Sequence, residues 1–275
     1  MKYTKITVLL VLLVAVFASF GLAQNDASTF HFVVVGDLQQ PRFKGDYQAV
    51  TYRIIREIAA ADADFVVIAG DCVRADKATE EDAAQVWRQF DALVQPVRAA
   101  GKAIWAVPGN HDMWRPSVAH GFDERFGKRY QVFVHKQTGF ILLDSESDRT
   151  SVAFRYLGWP QWRWLRTEPW RDATAGDPTL LFAFIHRPVF RAEIGLLDFA
   201  GHDQLDLAHF LARHRFAAVF AGHEHLYEHR EVDGVQYFIT GGGGGRLLPT
   251  GFHHYLLVTA DPRNRTFQVQ VQRVH

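Results

Sequence analysis

Phe32-Val33-Val34-Val35-Gly36-Asp37-Leu38-Gln39 is an apolar run that stops at a glycine and then presents a carboxylate and a carboxamide. Four further runs end in a similar way. Phe65-Val66-Val67-Ile68-Ala69 leads into Gly70-Asp71, and Ile104-Trp105-Ala106-Val107-Pro108 into Gly109-Asn110-His111-Asp112. Leu181-Phe182-Ala183-Phe184-Ile185 leads into His186, and Ala218-Val219-Phe220-Ala221 into Gly222-His223-Glu224-His225. Runs this short, rich in β-branched and aromatic residues, read as buried strands. Sites in α/β sheets gather at the carboxyl ends of strands. If the five strands share a sheet, its rim carries Asp37, Asp71, Gln39, Asn110 and four His, enough donors for two metal ions.

Helical patterns lie between these runs. Residues 46–61 place Tyr47, Val50, Ile54, Ile55 and Ile58 near helical spacing. Thr79-Glu80-Glu81-Asp82 starts a second helix, with acidic residues near its positive end and Val86, Trp87, Phe90, Leu93 and Val94 turned inward. A shorter helix over 205–213 precedes the last of the five strands. Strands separated by helices imply parallel pairing. The C-terminal third differs: 235–240, 255–259 and 267–271 read as strands with no helix between them. Phe267-Gln268-Val269-Gln270-Val271-Gln272 alternates strictly, so one face is buried and one is wet. A two-sheet sandwich with helices outside fits this α/β pattern. The Thr174-Ala175-Gly176-Asp177-Pro178 stretch does not divide the chain, because strands on both sides of it supply metal-binding residues.

The 275 residues carry 30 Lys plus Arg and 30 Asp plus Glu, a net charge of zero, so no overall basic field recruits nucleic acid or anionic membrane. Lys2 and Lys5, the apolar stretch from Ile6 to Phe20 and the small residues Gly21 and Ala23 form a secretory signal pattern with cleavage before Gln24. That reading makes 1–23 a signal peptide and 24–275 one domain, secreted or periplasmic, with no stable membrane anchor after cleavage. Cys72 is the one cysteine, so no intrachain disulfide forms, and it reads as a small buried apolar residue.

Asp37 and Asp71 supply hard anionic oxygens, Asn110 and Gln39 neutral carbonyl oxygens, and His186, His223 and His225 imidazole nitrogens. Such a mixed set suits Mn, Fe or Zn, and the lack of thiolates argues against a structural zinc site. Two cations about 3.5–4 Å apart would clamp a phosphate and generate a hydroxide for in-line attack. His111 suits the proton donor for the leaving group, with Asp112 as its orienting acceptor.

In order and spacing, Gly36-Asp37-Leu38-Gln39, Gly70-Asp71-Cys72-Val73, Gly109-Asn110-His111-Asp112, His186 and Gly222-His223-Glu224-His225 resemble the motifs of the calcineurin-like metallophosphoesterases over about residues 30–245. Leu143-Asp144-Ser145-Glu146, the Gln161-Trp162 and Trp164-Leu165 pairs and the Gly-rich 240–245 segment are similar to the purple acid phosphatase-like branch. The resemblance implies a four-layer αββα sandwich of two mixed sheets flanked by helices. It implies that Asp37 and His225 bind a first metal, Asn110, His186 and His223 a second, that Asp71 bridges them, and that His111 protonates the leaving group. Two positions depart from the pattern. Gln39 stands where the broad family has His, and fills that place through its amide oxygen if it ligates at all. Arg74 stands where the purple acid phosphatases have Tyr.

The function implied is binuclear hydrolysis of phosphate esters by metal-bridging hydroxide, with phosphomonoesters favoured by the acid-phosphatase-like flanks. The alternatives are a phosphodiesterase acting on nucleotide or phospholipid head-group esters and, more remotely, a non-catalytic metal- or phosphate-binding module. Arg74, Arg187, His253 and His254 are candidate substrate contacts, and Trp114 a candidate pocket wall. Residues 113–126 and 190–202 read as loops that choose the substrate. Glu224 reads as exposed, and the five glycines 241–245 as a loop lying against the site or a flexible one.

Overall fold

The computed structural model describes residues 28–147, 157–174, 176–191 and 202–275. The signal-like segment lies outside these residues, as does most of the expected loop 190–202. Six helices and eleven strands are described. In chain order they are β1 (Phe30–Val35), α1 (Ala49–Ala60), β2 (Phe65–Ile68), α2 (Ala83–Ala99), β3 (Ala103–Ala106), α3 (Pro116–Phe126), β4 (Gln131–His135), β5 (Thr138–Leu142), α4 (Trp159–Leu165), α5 (Pro169–Thr174), β6 (Leu180–Ile185), α6 (His202–Arg213), β7 (Ala218–Ala221), β8 (Tyr227–Val232), β9 (Val235–Thr240), β10 (His254–Asp261) and β11 (Thr266–Arg273).

The strands form two mixed sheets. One runs β11-β10-β1-β2-β3, the other β4-β5-β6-β7-β9-β8. The five strands quoted above therefore do not share one sheet. β1, β2 and β3 are parallel neighbours in the first, while β6 and β7 are parallel neighbours in the second. The reason is visible in β1, where alternate side chains serve two cores. Phe32 and Val34 join Phe140, Phe182, Phe184 and Phe220 between the sheets. Val33 and Val35 pack on the other side with Ile54, Ile58, Trp87 and Phe90 of α1 and α2. A third cluster seats Trp162, Leu165, Trp170, Leu207 and Leu211 on the outer face of the second sheet. A strand buried on both faces needs apolar residues at every position, which is why the β1, β2, β6 and β7 runs are continuous. The result is the four-layer α/β/β/α sandwich.

Local chemistry sets the differences from expectation. Asp82 accepts from both the backbone N–H and the hydroxyl of Thr79 at 2.9 Å, so the acidic stretch forms a tight turn and α2 begins only at Ala83. Residues 113–126, read as a loop, are mostly helix α3. Pro116 opens it with a preset φ, and Val118, Ala119 and Phe122 turn inward. The Trp87 indole N–H donates to the Val118 carbonyl at 2.8 Å and fastens α3 to α2. The β4–β5 hairpin turns through Lys136 and Gln137, both at positive φ, as a two-residue hairpin requires. In β11, Phe267, Val269 and Val271 face the inter-sheet core while the intervening glutamines face away.

Candidate metal centre

The two sheets meet at their carboxyl edges. The Gly36 amide donates to the Thr240 carbonyl at the end of β9, and the Asp37 amide to the Gly70 carbonyl, both at 3.0 Å. Asp37, Asp71 and His223 all have positive φ, at 62°, 55° and 70°. Non-glycine residues rarely accept this conformation, and where they do the surroundings hold them there. Here the strand-end turns reverse sharply enough to aim the side chains back across the rim. The glycines beside them are needed for space. A Cβ on Gly70 would lie 2.4 Å from Nδ1 of His186, and one on Gly109 would lie 2.2 Å from the Asp71 amide nitrogen.

The side chains converge in a connected group. Donor atoms of Asp37, Asp71 and His186, all buried, lie within 4.8 Å of one another. Nε2 of His186 is 3.4 Å from Oδ2 of Asp71 and 3.2 Å from Oδ1 of Asn110. Nδ1 of His223 lies 2.9 Å from that Asn110 oxygen and 3.3 Å from His186 Nε2. On the other side, Nε2 of His225 is 3.3 Å from Oδ1 of Asp37 and 3.1 Å from the amide nitrogen of Gln39. That amide also lies 3.3 Å from Oδ2 of Asp71. Asp71 thus touches both halves. Its other oxygen accepts from the His111 amide at 2.9 Å.

The arrangement fits cations on two counts. Oε1 of Gln39 is a buried acceptor with no hydrogen bond, and Oδ1 of Asp37 is buried with only the His225 ring beside it at 3.3 Å, a state that a cation among them would relieve. The protonation balance points the same way. Burial alone would strip the proton from His186, yet the adjacent Asp71 carboxylate holds it and lifts the imidazole to about 10. His225, against Asp37, is lifted to about 9 despite its burial. Asp71 itself is held below its ordinary value by His186 and His111, in spite of its desolvation. The carboxylates draw positive charge into the rim.

The remaining site residues are placed less centrally. His111 stacks on Trp114 with ring centroids 6.2 Å apart, and its Nδ1 is buried without a hydrogen bond. Asp112 does not orient it. Asp112 is folded back to accept from the amides of Gly109 at 2.9 Å and Val73 at 3.1 Å, so both its oxygens serve the loop backbone. The carboxylate facing His111 is that of Asp76, 3.9 Å from Nδ1, a residue the motif reading missed. Arg74 pairs with the same Asp76 at 2.9 Å. Arg187 lies against His223, its Nη1 3.2 Å from Nε2, and is forked onto the buried Glu146. His253 meets the Gly242 carbonyl at 3.2 Å. His254 is 0% exposed and packs behind the glycine loop against Tyr227 and Phe252, away from the open rim. Glu224 is buried, contrary to expectation, and pairs with Arg191 at 2.8 Å. The five glycines are buried too, and the amides of Gly243 and Gly245 donate to the carbonyls of Gly36 and Asp37. The loop lies pinned on the Asp37 turn.

The family model of the calcineurin-like phosphoesterases matches residues 30–227. The chain belongs to this family. Among solved structures, a dimetal phosphatase from Danio rerio is similar at 17% identity and a TM-score of 0.59, covering 90% of this chain and 99% of that one. GAP50, described as the anchor in the inner membrane complex of Plasmodium, is similar at 14% identity and a TM-score of 0.55, with 90% of each chain covered. At these identities the two structures share the calcineurin-like fold with this chain. The residues that join this phosphoesterase fold into one rim also form its candidate metal-binding group, Asp37, Asp71 and His186.

Proposed function

We propose that the protein is a binuclear metal-dependent phosphoesterase that hydrolyses phosphate esters, phosphomonoesters before diesters. The observation that carries this reading is the buried convergence of Asp37, Asp71 and His186 beside the buried Gln39 oxygen that lacks a donor. Asp37, Gln39 and His225 would hold one cation, Asn110, His186 and His223 the other, and Asp71 would serve both. When bound, two cations supply Lewis-acid activation of the phosphoryl group and of the attacking water. The chain's own part is to position and to move a proton. Asp71 fixes the His111 backbone through its amide, Trp114 lies nearly parallel to the His111 ring, and the imidazole gives its proton to the departing alkoxide. The Gln39 carboxamide has nearly the same shape either way round. Turned over, it would aim its oxygen at a cation shared with Asp37 and His225.

A second reading is a metal- or phosphate-binding module without turnover. It is favoured by the Gln39 amide nitrogen, which donates to Asp71 at 3.3 Å where the family pattern has imidazole. Elemental analysis, with turnover of p-nitrophenyl phosphate and of its bis ester across Mn, Fe, Zn, Co and Mg, separates the readings. Two metals per chain and faster monoester turnover support the first. Metal without turnover of either ester supports the second. The placement of this chain near the purple acid phosphatase-like branch rests on sequence similarity, and secretion with cleavage before Gln24 on the signal pattern of residues 1–23. N-terminal sequencing of protein recovered from the periplasm or medium tests the latter, and a chain still beginning at Met1 overturns it.

A further inference from the structure

A hollow lies on the same rim, past β5, and none of the candidate metal donors lines it. β4 runs antiparallel to β5 and Gln131 pairs with Leu142, so the chain enters β4 at the edge where β5 leaves it. There the end of α3 and the start of α4 enclose a cavity of about 1150 Å³. Tyr130, Trp159 and Trp164 line it together with Arg129 and Asp144. Tyr130 and Trp164 pack with ring centroids 5.0 Å apart and planes 54° apart, which makes a bent aromatic wall. Trp159 is 54% exposed, and the Arg166 guanidinium lies over its ring at 5.8 Å and steadies it.

The floor is polar and held in place. From α4, the Gln161 carboxamide donates to the Asp144 carbonyl and accepts from the Asp144 amide, both at 2.8 Å. Asp144 is 2% exposed, and its Oδ1 accepts from the Glu146 amide at 2.7 Å. Its Oδ2 has no hydrogen bond among the described residues. A carboxyl this buried normally has donors on both oxygens; this one lines the cavity with one oxygen unmet. Beside it, Arg129 forks onto Asp123 through Nε and Nη2, both at 2.8 Å. The fork holds the guanidinium still and offsets its charge, and Nη1 makes no hydrogen bond among the described residues. The cavity thus offers an acceptor and a donor between aromatic faces.

That combination narrows the ligand. A wholly apolar molecule would seal the unmet Asp144 oxygen from water. A phosphate would face a carboxyl on the floor and a guanidinium already paired. An organic cation would meet Lys128 on the wall, and burial pushes the Asp144 carboxyl up to about 7, away from the charged form that would hold it. A saccharide suits every surface: its C–H face stacks on an aromatic ring, and each hydroxyl both donates and accepts. We infer that this cavity binds a neutral saccharide, with Trp159 as the stacking platform and with Asp144 Oδ2 and Arg129 Nη1 as acceptor and donor for neighbouring hydroxyls. Its volume exceeds the roughly 300–1,000 Å³ of sites for drug-sized ligands, which suits an oligosaccharide.

Calorimetry on the metal-loaded protein with the linear trisaccharides of glucose, galactose, mannose and N-acetylglucosamine tests this, with choline as the contrasting ligand. At least one trisaccharide binds saturably and more tightly than choline. Excess inorganic phosphate, which the phosphoesterase reading sends to the metals, does not displace it. In Trp159→Ala its affinity falls about 10-fold, the loss of one stacked aromatic face, while the thermal midpoint stays at the wild-type value because the ring is largely exposed. In Arg129→Met it falls by about 10-fold or more, the loss of a hydrogen bond from a charged donor; a merely apolar ligand would not register that change. No binding of any trisaccharide, tighter binding of choline, displacement by phosphate, or an affinity unchanged in either variant overturns the inference. None of these outcomes touches the phosphoesterase reading, whose test is metal content and ester turnover.

Discussion

The two halves of the rim are unequally finished. On one side Asn110, His186 and His223 contact one another, and a backbone carbonyl, that of Ala69, meets the outer nitrogen of His186 at 2.9 Å. On the other side Gln39 keeps a buried oxygen with no donor, Asp37 has one met only by the His225 ring at 3.3 Å, and that ring is held by the Arg246 carbonyl. Both halves come from the same kind of strand-end turn, so the backbone does not explain the difference. It lies in one side chain. An imidazole at position 39 would be a stiff, soft-edged donor, whereas the carboxamide is neutral, weakly donating and reversible end for end. One half should bind a cation as a preformed cup, the other as a cup completed only when the amide turns.

Asp71 is the one residue common to both halves, so its loss should have the largest effect. Asp71→Asn removes a negative charge from between two cation positions. At least one metal per chain should be lost, with affinity down more than about 100-fold, since even outer partners of metal ligands are worth 10–100-fold. Turnover should vanish with it. Elemental analysis that still finds two metals would erase the distinction between a shared residue and the two halves.

His111→Ala acts outside both halves. For a substrate with a poor leaving group, turnover should fall about 10²–10⁴-fold, with metal content unchanged by elemental analysis. Asp76→Asn should produce a smaller loss of the same kind, because Asp76 is the carboxylate facing the ring. Near-normal turnover in His111→Ala would remove the proton-donor role.

Much of this rim was legible in the sequence, and the reasons are physical. Apolar runs ending at glycine or a polar side chain read as strands with tight exits, so the motif residues could be expected to meet. β1, β2, β6 and β7 are buried on both faces, while β3 is a partly exposed edge strand. The sequence did not reveal how five strands divide between two sheets, because a residue facing the inter-sheet core and one facing a helix are equally apolar. Phe32 and Val33 differ in destination, not in kind. The Asp112 assignment failed because adjacency in sequence placed it next to His111, while its carboxylate was needed by two loop amides. The β8–β9 hairpin did carry a signal, Asp233-Gly234 with both residues at positive φ, that should have marked it. The β4–β5 hairpin carried none, since Lys and Gln are poor predictors of a left-handed turn.

Gln39 sharpens the comparison directly. Gln39→Ala should weaken the first metal about 10–100-fold and leave the second within error. Gln39→His should strengthen the first and shift preference from Mn toward Zn. Titration of metal into stripped protein, resolving two constants, measures both. If neither substitution moves the weaker constant, the amide is not a ligand, and the turn-over of its carboxamide is not what distinguishes the halves.

The smallest effect separates the rim's electrostatics from burial alone. Asp144 follows β5, the strand beside β6, and is buried like Asp71 but without a histidine partner. Its carboxyl, desolvated and only partly helped by Arg129 and the Glu146 amide, is pushed up from 3.8 to about 7. Asp71, equally buried, is pushed down by its imidazole neighbours. The folded value of Asp144 lies above its unfolded one, so the folded chain keeps a proton that the unfolded chain has released. That contribution to stability is whole below about pH 4 and is lost as pH rises through about 7. Between pH 6 and 8 the loss should be about 1–2 kcal/mol. Asp144→Asn, neutral at every pH, should flatten this slope when denaturant unfolding of the metal-loaded protein is followed over that range. A slope unchanged in Asp144→Asn would mean that the pH response comes from the metal-facing groups, and that burial without a cationic partner does not hold this carboxyl neutral.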